Sequence, residues 1–188
     1  MSKSSSWSSL IAGVLSKNAE ATRELIEKSQ KPLFTFCFHL THNKQLAEDL
    51  THDALIKALT SLHQLREPEA FPAWLKRIAR SLFLDLKKSA AQSNQHLSWE
   101  SLSPKDLDSL HIKHSDPDQI AALQVLQGLE VDDRLILILI DIQECSYQEA
   151  SEALEIPVGT IKSRLFRARE KFLSVFEGTK PLSGSSLK

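Results

Sequence analysis

The sequence predicts an all-α fold: two small helical domains joined by a flexible linker. Three observations carry that expectation. Apolar residues recur at helical spacing along most of the chain, and no convincing alternating strand interrupts them. Glycine is scarce, 5 in 188 residues, which argues against multi-turn β architectures. Residues 89–116 break the periodicity with Ser, Gln, Asn and Asp, punctuated by Pro104 and Pro117, and read as a linker.

In chain order, the periodic segments are 7–17, 19–41, 44–62, 69–88, 117–129, 132–144, 146–154 and 158–176. Asn18 is placed to cap the second of these. Pro32 lies inside it and should kink or divide it, because proline removes a helical donor and clashes with the preceding turn. Ser146-Tyr-Gln-Glu149 has the spacing of a capping box and marks a helix start. The resulting organisation is a domain over 1–88, the linker over 89–116, a domain over 117–176 and a short Ser/Gly-rich tail over 177–188.

Composition narrows the function. Hydrophobic residues at 41% and charged residues at 25% describe a globular chain. The scattered glycines form neither G-x-G-x-x-G nor a P-loop. Two cysteines, Cys37 and Cys145, cannot build a disulfide framework, which suggests a reducing compartment. The longest aliphatic run, Leu135 to Ile140, is too short to span a membrane, so no membrane insertion is expected. The start, Lys3 and then Trp7 to Leu15, faintly resembles a signal peptide. Serines interrupt its apolar part, and it reads instead as part of a soluble cytoplasmic protein.

Net charge is −1, so any nucleic-acid signal lies in the charge distribution. Lys162, Arg164, Arg167, Arg169 and Lys171 crowd the last helix against Glu170 alone. At about 100° per residue, Ile161, Leu165, Ala168 and Phe172 fall on one stripe. Ser163, Phe166, Arg167 and Glu170 fall opposite, flanked by Lys162. Helix, tight turn and basic helix is a helix-turn-helix pattern, and an exposed aromatic beside cations and a hydroxyl suits a major groove. Arg167 can pair bidentately with guanine, while Lys162 and Ser163 reach phosphates or base edges. The plain alternative is a solvated charged face.

Residues 133–172 (DRLILILIDIQECSYQEASEALEIPVGTIKSRLFRAREKF) resemble region 4 of the extracytoplasmic-function (ECF) sigma factors, with P-V-G-T-I-K-S-R-L-F-R-A-R-E as the specific string. The resemblance implies that this helix reads the minus-thirty-five promoter element through Thr160, Lys162, Ser163, Phe166 and Arg167.

Upstream, Phe71 to Lys88 carries an apolar stripe of Phe71, Leu75, Ile78, Ala79, Leu82 and Leu86. The opposite face holds Lys76, Arg77, Arg80, Ser81, Lys87 and Lys88, with Leu84 as a misfit. Such a face can track a phosphate backbone. The stretch resembles sigma region 2.4 (F-x-x-W-L-x-R-I-A-R-x-L-x-x-D), which implies that these six polar residues contact the minus-ten element and its backbone. Ala47-Glu-Asp-Leu-Thr-His-Asp-Ala54 resembles region 2.2, the segment that docks on RNA polymerase. On it Glu48, Asp49, His52 and Asp53 share a face with Ile56 and Leu59, a mixed acidic and apolar surface suited to a protein partner. Residues 63–70 correspond to the loop that captures a flipped single-stranded base. The family usually has glutamine where His52 stands and asparagine where Ser81 stands.

The resemblance implies a non-enzymatic sigma factor whose partners are core RNA polymerase, promoter DNA and an anti-sigma factor. It is expected to be a monomer when free and to need no cofactor. Three rivals are weaker. An operator-binding regulator explains the C-terminal half but not the second basic helix with an acidic-apolar helix before it. A metal site could draw on Cys37, His39 and His42, or on His111 and His114. However, Cys37 and His42 diverge by about 140° around a helix and sit among Phe36, Phe38 and Leu40, so no metal is expected. A purely structural adaptor leaves Phe166 and Arg167 unexplained.

Overall fold

The computed structural model describes residues 6–92 and 117–179. All regular structure among them is helical. Eight helices follow the expected order: α1 (Trp7–Leu15), α2 (Ala19–Thr41), α3 (Lys44–Ser61), α4 (Phe71–Gln92), α5 (Pro117–Gly128), α6 (Val131–Leu137), α7 (Tyr147–Leu154) and α8 (Val158–Thr179).

Local sequence sets the starts. The Ser6 hydroxyl accepts from the Ser9 N–H at α1. Asn18 accepts from the N–H groups of Glu20 and Ala21 at α2, and Asn43 from that of Leu46 at α3. Ser146 and Glu149 close both halves of the capping box at α7. Gly13 answers a different need: a Cβ there would stand 2.5 Å from that of Ala21, so only glycine lets α1 lie this close to α2.

Several expectations need correction. Pro32 does not divide α2, because Leu25, Ser29, Leu33 and Phe36 form a buried stripe that runs past it and holds both halves in place. α4 begins at Phe71, after a short 3-10 turn over Pro68–Ala70, and runs on through residues 89–92 of the expected linker. The remainder of the linker, with His111 and His114, lies outside the described residues. The expected helix over 132–144 is α6 followed by a π-turn, Ile138–Ile142. It stops at Ile142, and Glu144, with φ of 52°, turns the chain toward the α7 cap. α8 extends three residues into the expected tail, and residues 180–188 are outside the description. On α4 the buried stripe is rotated: Ala73 and Phe83 are in the core, while Leu86 is 45% exposed.

The core is one contiguous cluster through both halves. It includes Leu25, Phe36, Phe38, Leu50 and Phe71 on the N-terminal side, and Leu135, Ile136, Leu139, Ile161 and Leu165 on the C-terminal side. Cys37 is inside it and His39 is buried, as the core-packing reading expected, and burial pushes the Cys37 thiol up to about 12. The two halves meet where α4 lies along α7 and where α2 meets α6 and its π-turn.

Candidate nucleic-acid and polymerase interfaces

On α8, Ile161, Leu165 and Ala168 are buried, fixing the rotation of the helix. That rotation turns Lys162, Ser163, Phe166 and Arg167 to solvent, with Thr160 half-exposed at the first turn. Phe166 is 64% exposed, which is uncommon for so large a ring without a partner. The cations of this helix divide into two sets. Arg164 reaches Asp132 at 3.0 Å, Arg169 grips Asp141 and Lys171 meets Asp133, so these three tie α8 to α6 and its π-turn. Lys162 and Arg167 meet no carboxylate among the described residues. The Lys162 ammonium lies 5.5 Å from the Tyr147 ring centre, and the Arg167 Nε–H makes only a long 3.4 Å contact to the Ser163 carbonyl. The unpaired cations are therefore the ones that flank Phe166.

On α3, Ala47, Leu50, Thr51, Ala54, Leu55 and Ala58 are buried. Glu48, Asp49, His52, Asp53 and Ile56 all stand exposed on the opposite side, Ile56 by 48%. A cleft of about 410 Å³ opens beside them, lined by Phe34, Lys44, Glu48, Thr51, His52 and Leu55. This places charges, an apolar side chain and a concavity together on one surface.

The basic face of α4 is where the structure departs most from expectation. Ser81 and Lys88 are exposed, and Lys87 lies against the Phe83 ring. Lys76, Arg77 and Arg80, expected to face solvent, turn toward the C-terminal half. Lys76 is only 9% exposed and its ammonium lies 3.1 Å from Cys145 Sγ. Arg77 reaches Glu155 at 3.4 Å, and Arg80 reaches Asp132 at 3.6 Å. Leu84, the misfit in the polar stripe, is half-buried against the shared core. A charged face with one apolar residue in it is here a surface that packs. Asp132 accepts from Arg164 and forms a longer ion pair with Arg80, so one carboxylate joins α4, α6 and α8.

Arg134, which the sequence reading did not single out, reaches across to the N-terminal half. Its guanidinium meets His42 Nε2 at 2.6 Å and donates to the Gln127 carbonyl at 3.2 Å. Burial and the Arg134 charge hold the His39 ring at about 4 and the His42 ring at about 3, both well below the ordinary histidine range. Among the described residues no cluster of His, Cys, Asp and Glu could hold a metal ion, and no helix is long and apolar enough to cross a membrane.

Comparison with known proteins places these surfaces in a family. Residues 25–92 match the family model described as Sigma-70 region 2, and residues 119–172 match Sigma-70, region 4. The ECF RNA polymerase sigma factor EcfG of Rhodopseudomonas palustris is 32% identical over 161 residues, spanning 81% of this chain and 83% of that protein. SigE of Mycolicibacterium smegmatis is 31% identical over 156 residues, 79% of this chain but 58% of the longer relative. SigM of Bacillus subtilis is 28% identical over 81% of this chain and 93% of its own length. Among solved structures, Bartonella quintana RpoE in complex with the anti-sigma factor NepR superposes with a TM-score of 0.70 at 24% identity, over 84% of this chain and 98% of that one. CnrH in complex with the cytosolic domain of CnrY gives 0.69 at 20% identity, over 91% and 97%. These two likenesses establish the fold. The sequence matches, covering both helical units in order, establish the relationship: the chain belongs to the ECF RNA polymerase sigma factors, initiation factors that direct RNA polymerase to promoters.

Proposed function

We propose that the chain divides its work among the three surfaces. The domain over 1–88 docks on core RNA polymerase through Glu48, Asp49, His52, Asp53 and Ile56. The same domain contacts the minus-ten element and its backbone through Lys76, Arg77, Arg80, Ser81, Lys87 and Lys88. The domain over 117–176 reads the minus-thirty-five element through Thr160, Lys162, Ser163, Phe166 and Arg167. The observation that carries this reading is the sorting of the α8 cations: Arg164, Arg169 and Lys171 are used inside the fold, and Lys162 and Arg167 are left beside the exposed Phe166. A solvated face has no need of that ring, whereas a groove-reading face uses it against a thymine methyl or a sugar.

No covalent step belongs to the chain on this reading, and RNA synthesis is the polymerase's. The place of action is the cytoplasm, where polymerase and promoter are. An anti-sigma protein is the fitting inhibitor, as the complexes of RpoE with NepR and of CnrH with CnrY exemplify for those proteins.

The test is co-purification with core polymerase at moderate salt, followed by mapping of transcript starts. Reversing Asp49 and Asp53 to lysine should abolish polymerase recovery, because reversal at a partly desolvated contact costs several kcal/mol, about ten times an exposed charge. Circular dichroism of the variant should be unchanged, since both side chains are exposed. Equal recovery of variant and wild type would refute docking through α3 and favour an operator-binding regulator.

A further inference from the structure

Where α2 meets the C-terminal half, the structure buries a cluster of groups that the three surfaces do not use. His39, His42 and Arg134 are each 4–5% exposed. His42 closes α2 with φ of 50°, donating its N–H to the Phe38 carbonyl. The left-handed cap needs only a glycine or asparagine backbone, so the turn itself does not explain the imidazole. That ring is spent on Arg134. A guanidinium can only donate, so His42 Nε2, 2.6 Å away, must be the acceptor and the ring must be neutral with its proton on Nδ1. A second proton would land on the nitrogen that faces the guanidinium and replace a hydrogen bond with two opposed cations. The Nδ1 atoms of both His39 and His42, and Nε of Arg134, are buried without a partner, so no hydrogen bond at those atoms stabilises an added charge.

The charged groups facing this cluster are few. Burial weighs most against charging either ring, the Arg134 guanidinium from α6 adds to it on both, and a charge on His39 would weigh on His42 as well. Glu130, just before α6, acts on Arg134. Beside His39, a cleft of about 550 Å³ is bordered by Asp141 and Arg169, which are already paired with each other. No carboxylate bonds to either imidazole among the described residues.

We propose that His39 and His42 form an acid-sensitive latch: the two halves stay packed while both rings are neutral, and protonation releases the C-terminal half and uncovers the basic face of α4. The sign follows from the closed state binding fewer protons. Its contribution is complete above the open-state histidine value of about 6.5 and is lost as pH falls from there toward the closed values of about 4 and about 3. Between pH 7.5 and 5.5 the opening constant should rise about tenfold for one released histidine and about a hundredfold for both.

The chain carries its own reporters. Cys145 is half-buried against Lys76 at the α4–α7 contact, while Cys37 is fully buried inside the N-terminal half. Labelling of the full-length protein with dithiodipyridine, normalised to a small thiol peptide at each pH, reads interface opening at Cys145 and global unfolding at Cys37. The expected result is Cys145 labelling that accelerates about tenfold to a hundredfold from pH 7.5 to 5.5 while Cys37 stays silent. The H39Q/H42Q double variant keeps Cys145 and Lys76 and should show a flat response. If circular dichroism finds that variant unfolded, H42N, which keeps a left-handed cap, should lose about tenfold of the acid response. The proposal is overturned by a wild type that does not accelerate, by the same acceleration in the variants, or by Cys37 reacting in step with Cys145.

Discussion

Arg167→Ala tests groove reading with little interference from stability. The side chain is exposed, meets no carboxylate among the described residues, and makes one long 3.4 Å contact to a carbonyl within its own helix. Alanine is also the better helix former, so the melting temperature should stay within a degree or two of wild type. The loss appears only on DNA. A bidentate arginine–guanine pair supplies about 1–3 kcal/mol of discrimination, which is about fivefold to 150-fold in occupancy. The assay is transcription by core polymerase with limiting protein, on a cognate promoter and on one with its upstream element scrambled. The variant should fall by that factor on the cognate promoter and match wild type on the scrambled one. Equal losses on both would mean that Arg167 contributes charge without reading sequence, and would refute the assignment of this face. Lys162→Ala provides the contrast: a lone ammonium should lose activity about uniformly across sequences and flatten the salt dependence.

Three further outcomes test how the fold is held. Ser146→Ala removes the hydroxyl that accepts from the Glu149 N–H and should cost about 1 kcal/mol in denaturant unfolding; an unchanged midpoint would show that the capping box contributes nothing. Leu139→Ala, at a fully buried position within the π-turn, should cost about 2–5 kcal/mol, and a loss under 1 kcal/mol would mean that the site collapses around the gap. Asp132→Asn removes the carboxylate shared by Arg80 and Arg164; at up to about 1 kcal/mol per partly exposed pair, Cys145 labelling should quicken several-fold in dilute buffer and match wild type in about 1 M salt.

What could be read from the sequence follows from how far each signal reaches. Helix starts were legible because a cap is a local event: Asn18 and the Ser146–Glu149 pair act within one turn of themselves. The outward set on α8 was legible because Ile161, Leu165 and Ala168 leave a single rotation that buries all three. On α4 the same reasoning placed Leu86 in the core, yet Phe83 takes that place, since two neighbouring apolar stripes compete and tertiary packing decides. Pro32 misled for a related reason: a lost helical bond costs about 3 kcal/mol, and burial of Leu33 and Phe36 next to it offsets that cost. The covering of Lys76, Arg77 and Arg80 was beyond reach, because periodicity gives a helix two faces and does not say what lies over the polar one. Leu84 was the visible sign, a leucine among cations that is half-buried against the core.

That covering bears on how promoter contact begins. On the proposed reading, Lys76, Arg77 and Arg80 serve DNA, yet in this arrangement Cys145, Glu155 and Asp132 occupy them. The two states exclude each other, so their balance is a matter of magnitudes. The Arg77–Glu155 and Arg80–Asp132 contacts are long and partly exposed, and each supplies at most about 1 kcal/mol. Phosphates held in a row gain more, because each neutralised phosphate also releases a counterion. The rim contacts alone would therefore yield to promoter DNA, and what resists is the buried part of the contact, where Arg134 meets His42. Salt and DNA act on the rim; protons act on the centre. A single perturbation of either should shift the equilibrium, and the two should multiply, since they break different contacts of one interface.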